Sequence, residues 1–279
     1  MPRKYLRSCL VGSLLASLMF SVASAGQITY RKAAFRDEFN GPANSPPDPA
    51  KWTAEVGGWG WGNQELEYYT NSTDNAYQDG AGSLVIKALK LNPPLTLSCW
   101  YGPCQYTSAR LITKQKFDVK YGRFEARIKI PRGQGVWPAF WLLGNNIDSV
   151  SWPQCGEIDI MENIGREPST IHGTAHGPGY SGGNGIGAAY SLPDNAPFAD
   201  GFHVFILEWT ENRIRWYVDG KIYKTMSPQD IPAGTQWVYD HPFFILLNFA
   251  VGGQWPGSPD GTTVFPQTMI VDYVRVYRR

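Results

Sequence analysis

The chain has 279 residues, with 25 Lys and Arg against 24 Asp and Glu and a formal charge of +1. That balance gives no electrostatic case for a nucleic acid or an anionic membrane as partner, and a neutral polymer fits better. The 11 Trp and 15 Tyr belong mostly in core and wall roles, with some rings free to stack on flat apolar faces such as those of sugars.

Arg3, Lys4 and Arg7 form a basic end, Leu10 to Val22 an apolar run, and Ala23-Ser24-Ala25 a small-residue cleavage signal. Residues 1–25 read as a secretory leader, and the run is shorter than the ~20 residues that span a bilayer. Residues 26–279 are then expected to be one secreted domain and a monomer. Removing the three leader cations leaves 22 basic against 24 acidic residues.

Asn44-Ser45-Pro46-Pro47-Asp48-Pro49 reads as a loop, and short strand patterns follow with turn signals between them. Ser83 to Ala88 is one. From Tyr121 to Ile130, Phe124, Ala126, Ile128 and Ile130 alternate with Arg123, Glu125, Arg127 and Lys129. Ile214, Trp216 and Val218 lead into Asp219-Gly220, a hairpin turn. Phe243 to Phe249 is nearly all apolar and reads as a strand buried on both faces. Ile270 to Tyr277 closes the chain. Long amphipathic helices are absent, so the expected fold is an all-β jelly-roll sandwich.

In a secreted chain, Cys99 and Cys104 suit a short disulfide loop, and Cys104 with Cys155 is an alternative pairing. Neither the cysteines nor the histidines have zinc spacing. The run Gly177–Gly185 lacks the Lys-Ser/Thr end of a phosphate loop and reads as a loop over a groove.

The centre of the sequence is Cys155-Gly156-Glu157-Ile158-Asp159-Ile160-Met161-Glu162-Asn163. Alternation puts Glu157 and Asp159 on one face, with Ile158 and Ile160 behind them. Glu162 is out of phase, and a β-bulge at Ile160-Met161 would return it to the acidic face. A solvated acidic edge or a calcium loop is the bland alternative; the apolar residue behind each acid and the missing Gly and Asn ligands argue against them. Two carboxyl groups flanking a cleft suit glycoside hydrolysis, one as proton donor and one as nucleophile or base.

This motif resembles the active-site strand of family 16 glycoside hydrolases, and the extra Met161 resembles the laminarinase-type branch; lichenases and xyloglucan transglycosylases of the family usually lack it. The resemblance implies a curved sheet with a concave groove and a retaining endo-β-1,3-glucanase that needs no cofactor for chemistry. Glu157 would be the nucleophile, Glu162 the acid/base, and Asp159 the acid between them. It also implies substrate contacts from Trp59, Asn63 and Glu65 in Gly57–Tyr69, from Arg110, from Trp137 and Trp141, and from Trp255 beside Asn248; of His172 and His176, His176 beside the Gly-rich run is the one expected to contact substrate. A structural calcium would use Glu38, Gly82 and Asp272. The competing expectations are mixed-linkage glucan or galactan as substrate, a non-catalytic β-glucan-binding protein, or a calcium-dependent lectin.

Overall fold

The computed structural model describes residues 32–92 and 96–278 together with Met1. The expected leader, residues 1–25, lies outside the described residues apart from Met1. The main strands are β1 (Lys32–Asp37), β2 (Thr53–Glu55), β3 (Leu84–Lys90), β4 (Arg110–Ile112), β5 (Gly122–Lys129), β6 (Val136–Gly144), β7 (Glu157–Glu162), β8 (Thr170–His176), β9 (Ile186–Ser191), β10 (His203–Thr210), β11 (Arg213–Val218), β12 (Lys221–Met226), β13 (Phe243–Val251) and β14 (Gln267–Arg278).

Two sheets form a jelly-roll sandwich. The front sheet runs β9-β8-β7-β6-β13-β4-β2, and the back sheet β12-β11-β10-β5-β14-β3, extended by Tyr106–Ser108 and Glu67–Tyr69. Period-two patterning decides which faces meet. On β5, Phe124, Ala126 and Ile128 are fully buried in the core. Their neighbours Arg123, Glu125 and Arg127 point outward, where Arg123 pairs with Glu125 and Glu208, and Arg127 with Asp272. Those partly exposed pairs contribute little to stability, so burial of the inner face holds the sheets together.

β13 is buried at all nine positions. Phe243, Ile245, Leu247, Phe249 and Val251 face the main core. On the other face, Phe244 and Leu246 join Ile112, Leu143 and Cys155 in a second apolar cluster, against which Trp141 and Ile147 pack. The β11–β12 turn has φ of 49° at Asp219 and 79° at Gly220, as a tight two-residue hairpin of the right twist needs. Cys99 and Cys104 are joined, and Cys155 is a buried free thiol.

Candidate active site

β6 and β7 pair antiparallel with Leu143 opposite Glu157, Leu142 opposite Ile158 and Trp141 opposite Asp159. The register then slips: Phe140 faces Met161 and Ala139 faces Glu162, so β7 holds one extra residue. The β7–β8 ladder slips between the same residues. This is the expected bulge, and it returns Glu162 to the face of Glu157 and Asp159. Ile160 and Met161 both enter the core, at 1% and 0% exposure. From the back sheet, the Trp216 indole donates to the Asp159 carbonyl at 2.7 Å and ties down the irregular strand. Gly173 leaves the space for it, since a Cβ there would sit 2.5 Å from Trp216 Cδ1.

The three acids line a cleft of about 510 Å³, and Glu157 and Glu162 also line an adjoining cavity of about 550 Å³. Asn63, Trp137, Trp152, Gly182 and Gln254 are shared by both. The trough thus runs on to either side of the two glutamates. Each has its own indole donor: Trp152 Nε1 lies 2.9 Å from Glu157 Oε2, and Trp137 Nε1 3.0 Å from Glu162 Oε1. The Asp159 and Glu157 carboxyl groups act directly on one another. His176 Nε2 lies 3.0 Å from Asp159 Oδ2 and 3.8 Å from Glu157 Oε1.

Burial dominates the electrostatics. It pushes the Glu157 carboxyl up to about 8, helped by the Asp159 charge and opposed by His176 and the Trp152 N–H. Burial also raises Asp159 to about 7. Glu162 is held well above the usual carboxylate range, by burial first and then by Asp159. The three titrate as one set, and the site favours keeping a proton on Glu162.

A family model described as glycosyl hydrolases family 16 matches residues 63–275. The chain belongs to glycosyl hydrolase family 16. Among relatives of this family 16 chain, a β-glucanase of Rhodothermus marinus is 39% identical over 276 residues, covering 96% of this chain and 93% of its own. The laminarinase catalytic domain of Thermotoga maritima MSB8 superposes with a TM-score of 0.82 at 50% identity, covering 89% of this chain and 98% of that one. The endo-β-1,3-glucanase of Pyrococcus furiosus gives 0.82 and 50%, covering 88% and 94%.

Other expected residues of the family 16 groove sort by position. Trp137 and Trp141, four apart on β6, both line the trough, whereas Phe140 between them is in the core. Arg110 lies in the wall, paired with Glu55, its guanidinium 4.8 Å from the ring centroids of both Trp61 and Trp141. Trp255 lines the second cavity and meets Trp137 edge-on at 5.4 Å. Gly182, Gly183 and Gly185 of the Gly-rich run border the same cavity. His176 also borders it, but only 9% exposed and packed against the acids.

Two of the expected contacts take different places in the wall. Trp59 lines neither cavity; it is 61% exposed and packs tilted against Trp61, with ring centroids 4.3 Å apart. The cause is a tight turn in which Gly60, Trp61 and Gly62 all have positive φ, so strand alternation does not apply and Trp61 becomes the wall ring. Glu65 reaches the trough lining but is only 3% exposed, and its oxygens are taken by Asn63 Nδ2 and the Tyr69 hydroxyl. It anchors Asn63, which is the groove-facing residue. The sequence reading also missed Trp152 and Glu67. Trp152 sits in a loop with no periodic signal; Glu67 shares a strand face with Glu65 and Tyr69, a signal that was there to use.

Among the described residues, Glu157, Asp159 and His176 have ligand atoms within 4.8 Å of one another, close enough to hold a cation. They belong to the candidate catalytic cluster, and paired-carboxylate chemistry needs no cation. Glu38 directly follows β1, Gly82 lies two residues before β3, and Asp272 is on β14, which pairs with both strands. Both Glu38 oxygens accept from Arg275, and Asp272 pairs with Arg127. A Cβ on Gly82 would be 3.9 Å from the Glu38 carbonyl oxygen. Calcium at this place would therefore draw on main-chain oxygens of Glu38 and Gly82, with Asp272 freed from Arg127.

Proposed function

We propose that this chain is a secreted endo-β-1,3-glucanase that cleaves laminarin-like glucans by double displacement. In the first step the Glu157 carboxylate attacks the anomeric carbon while Glu162 gives its proton to the leaving oxygen. In the second, Glu162 takes a proton from water as that water displaces the sugar from Glu157, and net configuration is retained. Asp159 and His176 set the charge around Glu157, and the Trp152 and Trp137 indoles hold the two carboxyl groups in place.

The observation that carries this reading is the bulge, which brings Glu162 round to join Glu157 where the two cavities meet. A trough open on both sides of the acids favours cutting inside a polymer. Near the acids, the wall cation Arg110 is already paired with Glu55 and flanked by rings, which favours a neutral chain over a sulfated one. The laminarin assignment leans on Met161 and on the names of the Thermotoga and Pyrococcus relatives. The leader-like start and the Cys99–Cys104 bond favour a site of action outside the cell.

Product profiles on laminarin, lichenan, barley glucan and agarose test the proposal. Oligomers from laminarin at the highest rate support it. A preference for lichenan or agarose would move the assignment to another linkage, and binding without cleavage would leave a glucan-recognition protein. A structural calcium on the back sheet belongs to the same reading; its test is a melting temperature that falls with EDTA and recovers with added Ca²⁺.

A further inference from the structure

Below the groove wall lies a pair of carboxyl groups that the chemistry does not use. Glu65 and Glu67 share one face of an extended segment, and each carboxyl acts directly on the other. They are 3% and 0% exposed. Among the described residues no cation forms an ion pair with either; Arg110, whose charge acts on Glu65, is paired with Glu55. Two bare carboxylates cannot be buried in contact without a large cost, so the surrounding donors must reveal where the proton is.

They do so without ambiguity. An indole N–H can only donate, so Trp141 Nε1 gives its hydrogen to Asn248 Oδ1 at 2.7 Å. That fixes the amide, whose Nδ2 donates to the Tyr69 hydroxyl oxygen at 3.1 Å. Tyr69 in turn donates to Glu65 Oε2 at 3.0 Å, and Asn63 Nδ2 to Glu65 Oε1 at 3.0 Å. Glu65 receives from every side, which suits an anion. Glu67 Oε2 accepts the Val251 N–H at 2.6 Å, but its Oε1 is buried without a hydrogen-bond partner. That orphan oxygen is satisfied if it carries the proton and donates to Glu65.

We infer that Glu67 is a positioning residue: it holds one proton against the Glu65 anion, which fixes Asn63 directly and Trp141 through Tyr69 and Asn248 in the substrate wall. Burial raises both carboxyl groups, Glu67 the further of the two. The other titratable and charged groups facing the pair are Tyr69, Tyr101 and Arg110, the last with its partner Glu55. Removing the shared proton at high pH leaves two adjacent buried anions and loosens the wall.

The test compares Glu67→Gln, which keeps one donor and one acceptor, with Glu67→Leu, which keeps only bulk. Hydrogen-exchange mass spectrometry follows peptides spanning residues 60–69 and 246–252 from pH 7 to 9.5, corrected for intrinsic rate. At pH 7 Glu67→Gln keeps wild-type protection, and Glu67→Leu loses at least tenfold. On raising the pH, the wild type loses protection and Glu67→Gln does not. The kinetic readout rests on the proposed glucan specificity: Glu67→Leu raises KM for laminarin about tenfold with a smaller change in kcat, and Glu67→Gln restores it. Wild-type protection in Glu67→Leu, a Gln variant as damaged as the Leu variant, or identical pH responses in the wild type and Glu67→Gln would overturn the inference. Should Glu67→Leu not fold, the pH comparison of the other two still decides. Should the wild type leave laminarin uncut, the functional proposal fails, and the exchange result still judges the carboxyl pair.

Discussion

Ala139 lies directly across the strand pair from Glu162, where a uniform ladder counted from Leu143 and Glu157 would place Met161. Residues opposite one another on antiparallel strands share a face, and Ala139 lines the trough. The single extra residue in β7 is therefore what separates an acid in the groove from an acid in the core. It also puts Met161 into the interior at 0% exposure.

A length test follows from this register. Deleting Met161 leaves Glu-Ile-Asp-Ile-Glu, which alternates strictly and keeps the last acid opposite Ala139. That deletion should retain measurable glucan hydrolysis while losing about 2–5 kcal/mol of stability with the buried side chain. Inserting one Ala between Met161 and Glu162 should turn the acid inward and lower kcat at least a thousandfold. Urea denaturation and laminarin assays check both; equal loss of activity in the two variants would contradict the register account.

Glu162→Ala removes the proposed proton donor. Hydrolysis of natural glucans should fall far more than hydrolysis of an aryl glycoside whose leaving group needs no protonation. A parallel measurement of kcat/KM on both substrates decides it, and equal losses would deny Glu162 the acid role.

Asp159 raises both Glu157 and Glu162 by its charge. Replacing it with Asn removes a negative neighbour, so both glutamates ionise more readily and their pKa values fall. The alkaline limb of kcat/KM should move to lower pH in Asp159→Asn. A limb that stays in place, or moves up, would show that the charge of Asp159 is not what holds the proton on Glu162.

The same burial opposes folding. The Glu157 carboxyl ordinarily ionises near 4.5 and in the folded chain near 8. Between those values the unfolded chain binds fewer protons, so stability falls as pH rises through that window. Glu157→Gln should accordingly melt higher than the wild type at pH 8, by an amount on the order of 1–3 kcal/mol, with the gap closing at pH 4. Melting curves at the two pH values test the sign.

The sandwich was readable because burial follows strand period, as in Phe124-Ala126-Ile128 and in the nine buried positions of β13. The bulge was readable because Glu162 falls out of phase while every residue behind the acids is apolar. Positions in turns were not. Positive φ at Gly60, Trp61 and Gly62 exchanges the roles of Trp59 and Trp61, and no period reports on Trp152. The Glu65-Glu67-Tyr69 alternation was visible, but Tyr69 completes it only when Asn248 arrives from a strand 179 residues away.

The most direct measurement is to trap the nucleophile. An epoxyalkyl β-laminaribioside incubated with the wild-type enzyme, followed by proteolysis and mass spectrometry of the labelled peptide, identifies the carboxylate that attacks. The label should form an ester at Glu157 and be absent from Glu157→Gln. An ester at Asp159 or Glu162 would contradict the assignment of roles along β7.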